Sequence, residues 1–147
     1  MSAIPIPNAR QPEPDVLTGG QPGRAELEQA RDAGYRTVVN LRPSGEFHDF
    51  DEREVVRGLG MEYVNIPIGS AAGLTPDKVQ SLQRVLADST ARPVMVHCAS
   101  GNRVGALFAL WAAQIQGADP DAAIAFGRKA GLTGLEADVR KQLENAS

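Results

Sequence analysis

The sequence predicts an α/β protein: a three-layer α/β/α sandwich around a mostly parallel sheet of four or five strands. Three observations lead there. Runs rich in β-branched residues, TVVNL (37–41), MEYVNIPI (61–68) and PVMVHC (93–98), alternate with stretches whose apolar residues recur at helical spacing. The turns between them are short, which favours parallel strands joined by right-handed helical crossovers. A chain of 147 residues, 42% hydrophobic and 22% charged, suffices for one domain with a substantial core.

In chain order, the first 14 residues carry four prolines and little periodicity, so residues 1–15 read as an extended N-terminal lead-in and 16–147 as a single domain. Val16–Thr18 reads as a short edge strand running into the turn GGQPG. RAELEQARDAGY has helical spacing and stops at Gly34. TVVNL is a buried strand, RPSGEFHDFD a polar turn, and EREVVRGL a helix ending at Gly58 or Gly60. MEYVNIPI is the next strand and GSAAG a loop. TPDKVQSLQRVLAD is a helix with Thr75 as N-cap and Pro76 at its first position. PVMVHC is the last core strand and RVGALFALWAAQIQG the apolar helix behind it, with Leu107, Phe108 and Trp111 as core residues. Two short helices follow, near 119–130 and 134–144, with Arg128 and Lys129 in solvent.

Composition narrows the function classes. A net charge of −3 disfavours non-specific binding to nucleic acid or an anionic membrane. The single cysteine excludes an intrachain disulfide and a cysteine-rich zinc site, and no metal or cofactor is expected. The start, MSAIPIPNARQPEP, lacks the basic and apolar regions of a secretory signal, and LFALWAAQI is too short to span a bilayer. The expectation is a soluble cytoplasmic protein whose thiol stays reduced.

In a parallel sheet the ligand site lies at the carboxyl ends of the strands. There the turns RPSGEF, GSAAG and CASGNR converge, and the last holds the lone thiol, Cys98. A glycine-bearing strand-to-helix turn points backbone N–H groups at the helix N-terminus and makes a place for an anion. The same field stabilises a thiolate, with His97 beside it to order the backbone or add charge. Ala99, Ser100 and Gly101 are small enough for the loop to curl, and Ser100 offers a hydroxyl. With Asn102 they lead to Arg103, whose planar fork suits two oxygens of an oxyanion. The plain alternative, a cysteine serving as a small buried hydrophobe, does not account for the S-G-N-R that follows.

HCASGNR resembles the H-C-x-x-G-x-x-R signature of cysteine-dependent protein tyrosine and dual-specificity phosphatases. LTGGQP, TVVNLRPSGE and YVNIPI, in that order before it, resemble more closely a bacterial phosphatase-like family once catalogued as a domain of unknown function. Its members occur alone or fused to a metallo-β-lactamase-like domain. The resemblance covers about residues 16–116. It implies a cysteine-phosphatase-like fold in which Cys98 attacks phosphorus to give a cysteinyl phosphate. Arg103 and the amides of 99–103 would hold the phosphoryl oxygens, and His97 would tune the thiolate.

The chain departs from the phosphatase pattern at three places. Four residues, not five, separate Cys98 from Arg103; IPIGSAAGL holds no carboxylate where a general-acid aspartate is usual; and Val104 stands where Ser or Thr follows the arginine. A four-residue spacing is that of many rhodanese-type sulfurtransferases, whose smaller ring suits a terminal persulfide sulfur. A proton donor for a phosphatase would come from the polar turn after the second strand, where Glu46 and Asp49 are the candidates, His48 is a secondary one, and Asp51 is nearby. Asp77 fits better as a partner of its helix dipole. Arg42 ends its strand at the substrate edge, placed to bind an anion or to pair with Glu46, and Gln21 reads as turn chemistry. The preferred reading is a phosphate-monoester hydrolase, with phosphotyrosine as one possible substrate, acting on a phosphorylated protein or a small-molecule phosphate. The alternatives are a sulfurtransferase with its sulfur donor and acceptor, and a weakly active anion-binding module.

Overall fold

The computed structural model describes residues 4–145, within which the expected α/β sandwich is present. Its strands are β1 (Arg10–Glu13), β2 (Val16–Gly19), β3 (Thr37–Asn40), β4 (Glu62–Asn65) and β5 (Val94–His97). Its helices are α1 (Arg24–Asp32), α2 (Glu52–Gly58), α3 (Pro76–Ala87), α4 (Asn102–Gln114), α5 (Pro120–Ala130) and α6 (Glu136–Asn145). The sheet order is β1-β2-β5-β3-β4, with β1 antiparallel to β2 and the remaining neighbours parallel.

Strand parity divides the core. Val16, Val39, Val94, Val96 and Cys98 face α3–α6, while Leu17, Val38 and Met95 face α1 and α2. Because the interior strands are covered on both sides, they read as continuous apolar runs rather than alternating ones. The chain covers one face through α1 and α2, then crosses to the other with α3 and returns β5 between β2 and β3. That reversal sets the end of β5 at the crevice where such sheets bind ligands.

Two expectations need correction. Val16–Thr18 is not an edge strand, because the lead-in supplies β1 outside it. The lead-in packs on the fold: Ile4 and Ile6 are buried with α1 and α2, and Pro12 is tolerated in β1 because that strand lies at the edge. MEYVNIPI forms a strand only over Glu62–Asn65, at the opposite edge, and GSAAG contains a 3₁₀ turn at Ala71–Gly73. Thr75 caps α3 by position, its hydroxyl bonding to the Asp77 carboxylate, with Pro76 opening the helix. Leu107, Phe108 and Trp111 are core residues, and the Trp111 indole N–H donates to Gln83. Arg128 pairs with Glu136 at the surface. Among the described residues no helix is long and apolar enough to cross a membrane.

The closest backbone approach behind the β5–α4 loop is at Gly105. A Cβ there would lie 1.9 Å from the Leu132 amide nitrogen and 2.4 Å from its Cα, and backbone cannot swing aside as a side chain can. Gly105→Ala is expected to cost about 3 kcal/mol or more in urea denaturation. Unchanged stability would contradict this packing of α4 on the 131–135 turn.

Candidate active site

The site is built at the end of β5. The Cys98 N–H donates to the Gly19 carbonyl at 3.2 Å, and the His97 carbonyl accepts from the Leu41 N–H at 2.9 Å, so both flanking strands fix where β5 ends. Beyond that point two carbonyls are drawn outward. Ala99 O accepts from the Gln21 N–H at 3.1 Å, and Ser100 O accepts from the Asn8 side-chain amide at 2.8 Å. In a trans peptide the following N–H points the opposite way. The amides of Ser100 and Gly101 therefore turn inward, and the Gly101 N–H reaches the Cys98 sulfur at 3.0 Å. Gly101 has φ of 100°, a conformation that suits glycine, and it is the N-cap of α4, so the N–H that reaches the buried sulfur lies at that helix's N-terminus. The Asn102 side chain points away from the sulfur and accepts from the Thr133 and Leu135 N–H groups, so within the loop it is an anchor.

Arg103, in the first turn of α4, donates through Nη1 and Nη2 to the two oxygens of Glu46, at 2.9 and 2.6 Å, and Nη1 also donates to Ile68 O. Glu46 in turn accepts from Arg42 Nε at 2.9 Å. Of the two roles open to Arg42, the structure shows the pairing, with its guanidinium also over the Phe47 ring. The hydrogen bond from Arg103, aided by Arg42, holds the Glu46 carboxyl below its ordinary value. Glu46 is thus kept as a carboxylate, a poor state for a proton donor. Arg103 is pushed up, first by its hydrogen bonds to Glu46 and further by Cys98 beside it.

His97 points to the other face of the sheet, as its neighbour's parity requires, and meets a residue that sequence reasoning passed over. Its Nε2 lies 2.6 Å from Oε2 of Glu52, a buried carboxyl at the start of α2. Its Nδ1 lies 3.2 Å from the Cys98 carbonyl oxygen, an acceptor, which assigns a hydrogen to that nitrogen. The 2.6 Å contact then carries one proton between the imidazole nitrogen and the carboxyl oxygen. The other Glu52 oxygen accepts from Gln21 Nε2 at 2.7 Å, while Gln21 Oε1 accepts from Arg42 Nη1 at 3.1 Å. Gln21 is therefore more than a turn residue.

The remaining candidates stand apart. His48 and Asp49 are exposed on the loop before α2, and Asp51 caps that helix by accepting from the Glu54 N–H. Asp77 is exposed and held below its ordinary value by the Thr75 hydroxyl. A hollow of about 430 Å³ opens beside the site, with Arg42, Phe47, Arg53 and Tyr63 in its walls. Among the described residues, no three His, Cys, Asp or Glu side chains gather as a metal site.

A mostly parallel sheet whose central strand runs into a cysteine-bearing turn and an arginine-led helix matches the folds of protein tyrosine and dual-specificity phosphatases. The chain belongs to the family described as "DSP-PTPase phosphatase fused to NAD+ Kinase", whose model matches residues 7–144. It is 36% identical over 99 residues to a beta-lactamase hydrolase-like protein of Xylella fastidiosa, covering 65% of this chain and 22% of that protein. The chain thus matches about a fifth of the length of that curated relative. Among solved structures, Tk-PTP in its active form aligns with a TM-score of 0.74 and 21% identity, over 96% of this chain and 99% of that one. A candidate phosphatase of a domain-of-unknown-function family from Shewanella putrefaciens aligns at 0.70 and 22%, over 97% and 94%. At these identities the structural matches speak for the fold.

The Glu46 ion pairs carry a pH signature. A carboxyl held below its ordinary value near 4.5 adds stability that is present above that value and is lost as pH falls through the folded one. The stability difference between the natural chain and Glu46→Gln should therefore be constant near neutrality and shrink below about pH 4.5, as measured by urea denaturation across that range. A gap that persists or widens in acid would contradict the pairing.

Proposed function

We propose that the protein is a cysteine-dependent phosphatase-like hydrolase in which Cys98 attacks the phosphorus of a phosphate monoester. The observation that carries this reading is the Cys98 sulfur itself: the Gly101 N–H points at it from 3.0 Å, at the N-terminus of α4 and beside the Arg103 guanidinium. The thiolate sulfur forms the S–P bond as the ester oxygen departs with the bonding electrons. Water then cleaves the cysteinyl phosphate, releasing phosphate and restoring the thiolate. The inward amides and Arg103 neutralise charge on the phosphoryl oxygens as the transition state forms. Glu46 grips the terminal nitrogens of Arg103 and so aims the fork, while Arg42 stands between that pair and the adjoining hollow, the place of a substrate-edge residue.

Proton supply limits this chemistry. Of the two expected donors, Glu46 is committed as a carboxylate, leaving Asp49 on the same exposed loop. General-acid help is worth about 10²–10⁴-fold, so alkyl phosphates should be poor substrates and aryl phosphates, whose phenolates leave unaided, better ones. The second reading, sulfur transfer through a Cys98 persulfide, is favoured by the four-residue spacing of Cys98 and Arg103, which draws a tighter ring. It needs no acid when sulfite leaves thiosulfate as an anion.

Aryl-phosphate hydrolysis and thiosulfate-to-cyanide sulfur transfer measured on one preparation separate the two. Phosphate release that falls steeply with leaving-group pKa is expected. Cys98→Ser should abolish it while preserving anion binding, and Arg103→Lys should lose much of both. Asp49→Asn should remove the remaining acid-limb pH dependence. Sulfur transfer without phosphate release, unchanged in Asp49→Asn, would establish the second reading.

A further inference from the structure

The ends of the Cys98 loop are joined by a path that leaves the loop altogether. From His97, at its start, hydrogen bonds run to Glu52 at 2.6 Å, to Gln21 at 2.7 Å and to Arg42 at 3.1 Å. From Arg42 they continue to Glu46 at 2.9 Å and to Arg103, at the loop's end, at 2.6 Å. The members come from the ends of β5, β2 and β3, the loop after β3, and the first turns of α2 and α4. One of them, Glu52, is a carboxyl whose side chain is 4% exposed, bonded to a wholly buried imidazole. A buried carboxyl is costly unless each oxygen has a partner, and here each has one.

We propose that Glu52 is a positioning residue of this site. Resting on the reading of Cys98 and Arg103 given above, it clamps nucleophile and anion ligand in one frame. One arm, through His97 Nδ1–H on the Cys98 carbonyl, orients the peptide that follows the nucleophile. The other, through Gln21, fixes Arg42, which shares Glu46 with Arg103 and so sets the angle of that fork. Glu52 acts through His97 and Gln21.

The hydrogen-bond inventory supplies a test that a merely structural role would not pass. In Glu52→Gln the new amide N–H can donate to His97 Nε2, leaving the hydrogen on Nδ1, while its oxygen still accepts from Gln21. Every bond is preserved without the shared proton. Glu52→Ala orphans both His97 and Gln21. The readouts are the rate of Cys98 alkylation by iodoacetamide at fixed pH, and protection against it by inorganic phosphate or sulfate. Glu52→Ala is expected to slow alkylation and weaken protection, each roughly tenfold, with Glu52→Gln restoring both to within about threefold of the natural chain. Gln21→Ala, at a half-buried turn, keeps the test open where Glu52→Ala does not fold. It cuts the second arm while leaving the His97–Glu52 contact in place, and should weaken protection several-fold while slowing alkylation much less. Protection in the natural chain with both readouts unmoved by Glu52→Ala, or with Gln21→Ala affecting the two equally, would overturn the clamp and leave the functional reading intact. No protection by either anion in the natural chain would remove the functional reading and the clamp together.

Discussion

Two carbonyl oxygens, those of Ala99 and Ser100, set the polarity of the site. Each is held outward by a donor from the other side of the sheet end, the Gln21 amide and the Asn8 side chain, and each thereby turns the next N–H inward. Without those donors the two peptides could flip, and carbonyl oxygens would face a thiolate or a bound oxyanion. The lead-in serves this arrangement. Its buried Ile4 and Ile6 seat it on the α1–α2 face, its Pro7 carbonyl accepts from Gly20, and Asn8, with φ of 53°, brings its amide to the loop. Asparagine is one of the few residues that enters that backbone region readily.

The remainder of the site follows from where β5 lies. As the central strand of a parallel sheet it is flanked by β2 and β3, so the turns after all three end at one level. Side-chain alternation then sends Cys98 toward α4 and His97 toward α2. The first gains an anion-stabilising helix N-terminus; the second gains a carboxyl partner. Charge is satisfied on both sides of the sheet within a few residues, and Arg103, Glu46 and Arg42 close the gap between them.

The fold and the place of the Cys98 loop were legible in the sequence because both are local: β-branched runs, helical periodicity, and a cysteine–glycine–arginine turn at a strand end. Family membership likewise followed from contiguous motifs. The misreadings are where distant contacts decide. RQPE carries a proline and no alternation, so β1 showed only once its partner β2 was in place, and that same pairing makes β2 interior. Glu46 is a plausible acid in RPSGEFHDFD until Arg103, 57 residues away, is seen to bind both its oxygens. Glu52 opens EREVVRGL as an ordinary first-turn acid. The signal that could have found it was parity: if Cys98 faces the α4 layer, His97 faces the α2 layer and needs a buried partner there. Asn102 and Gln21 were placed in the right turns, but their bonding directions depend on the 133–135 turn and on α2.

In the proposed mechanism Cys98 is a nucleophile attacking phosphorus within this frame. Rapid acid quench of the protein during aryl-phosphate turnover, followed by mass spectrometry of the Cys98 peptide, observes the bond directly. The proposed mechanism requires a phosphoryl group on Cys98 that appears with substrate and decays as the substrate is exhausted. A Cys98 peptide that stays unmodified while phosphate is released, or that gains a sulfur atom from thiosulfate and never a phosphoryl group, would contradict it.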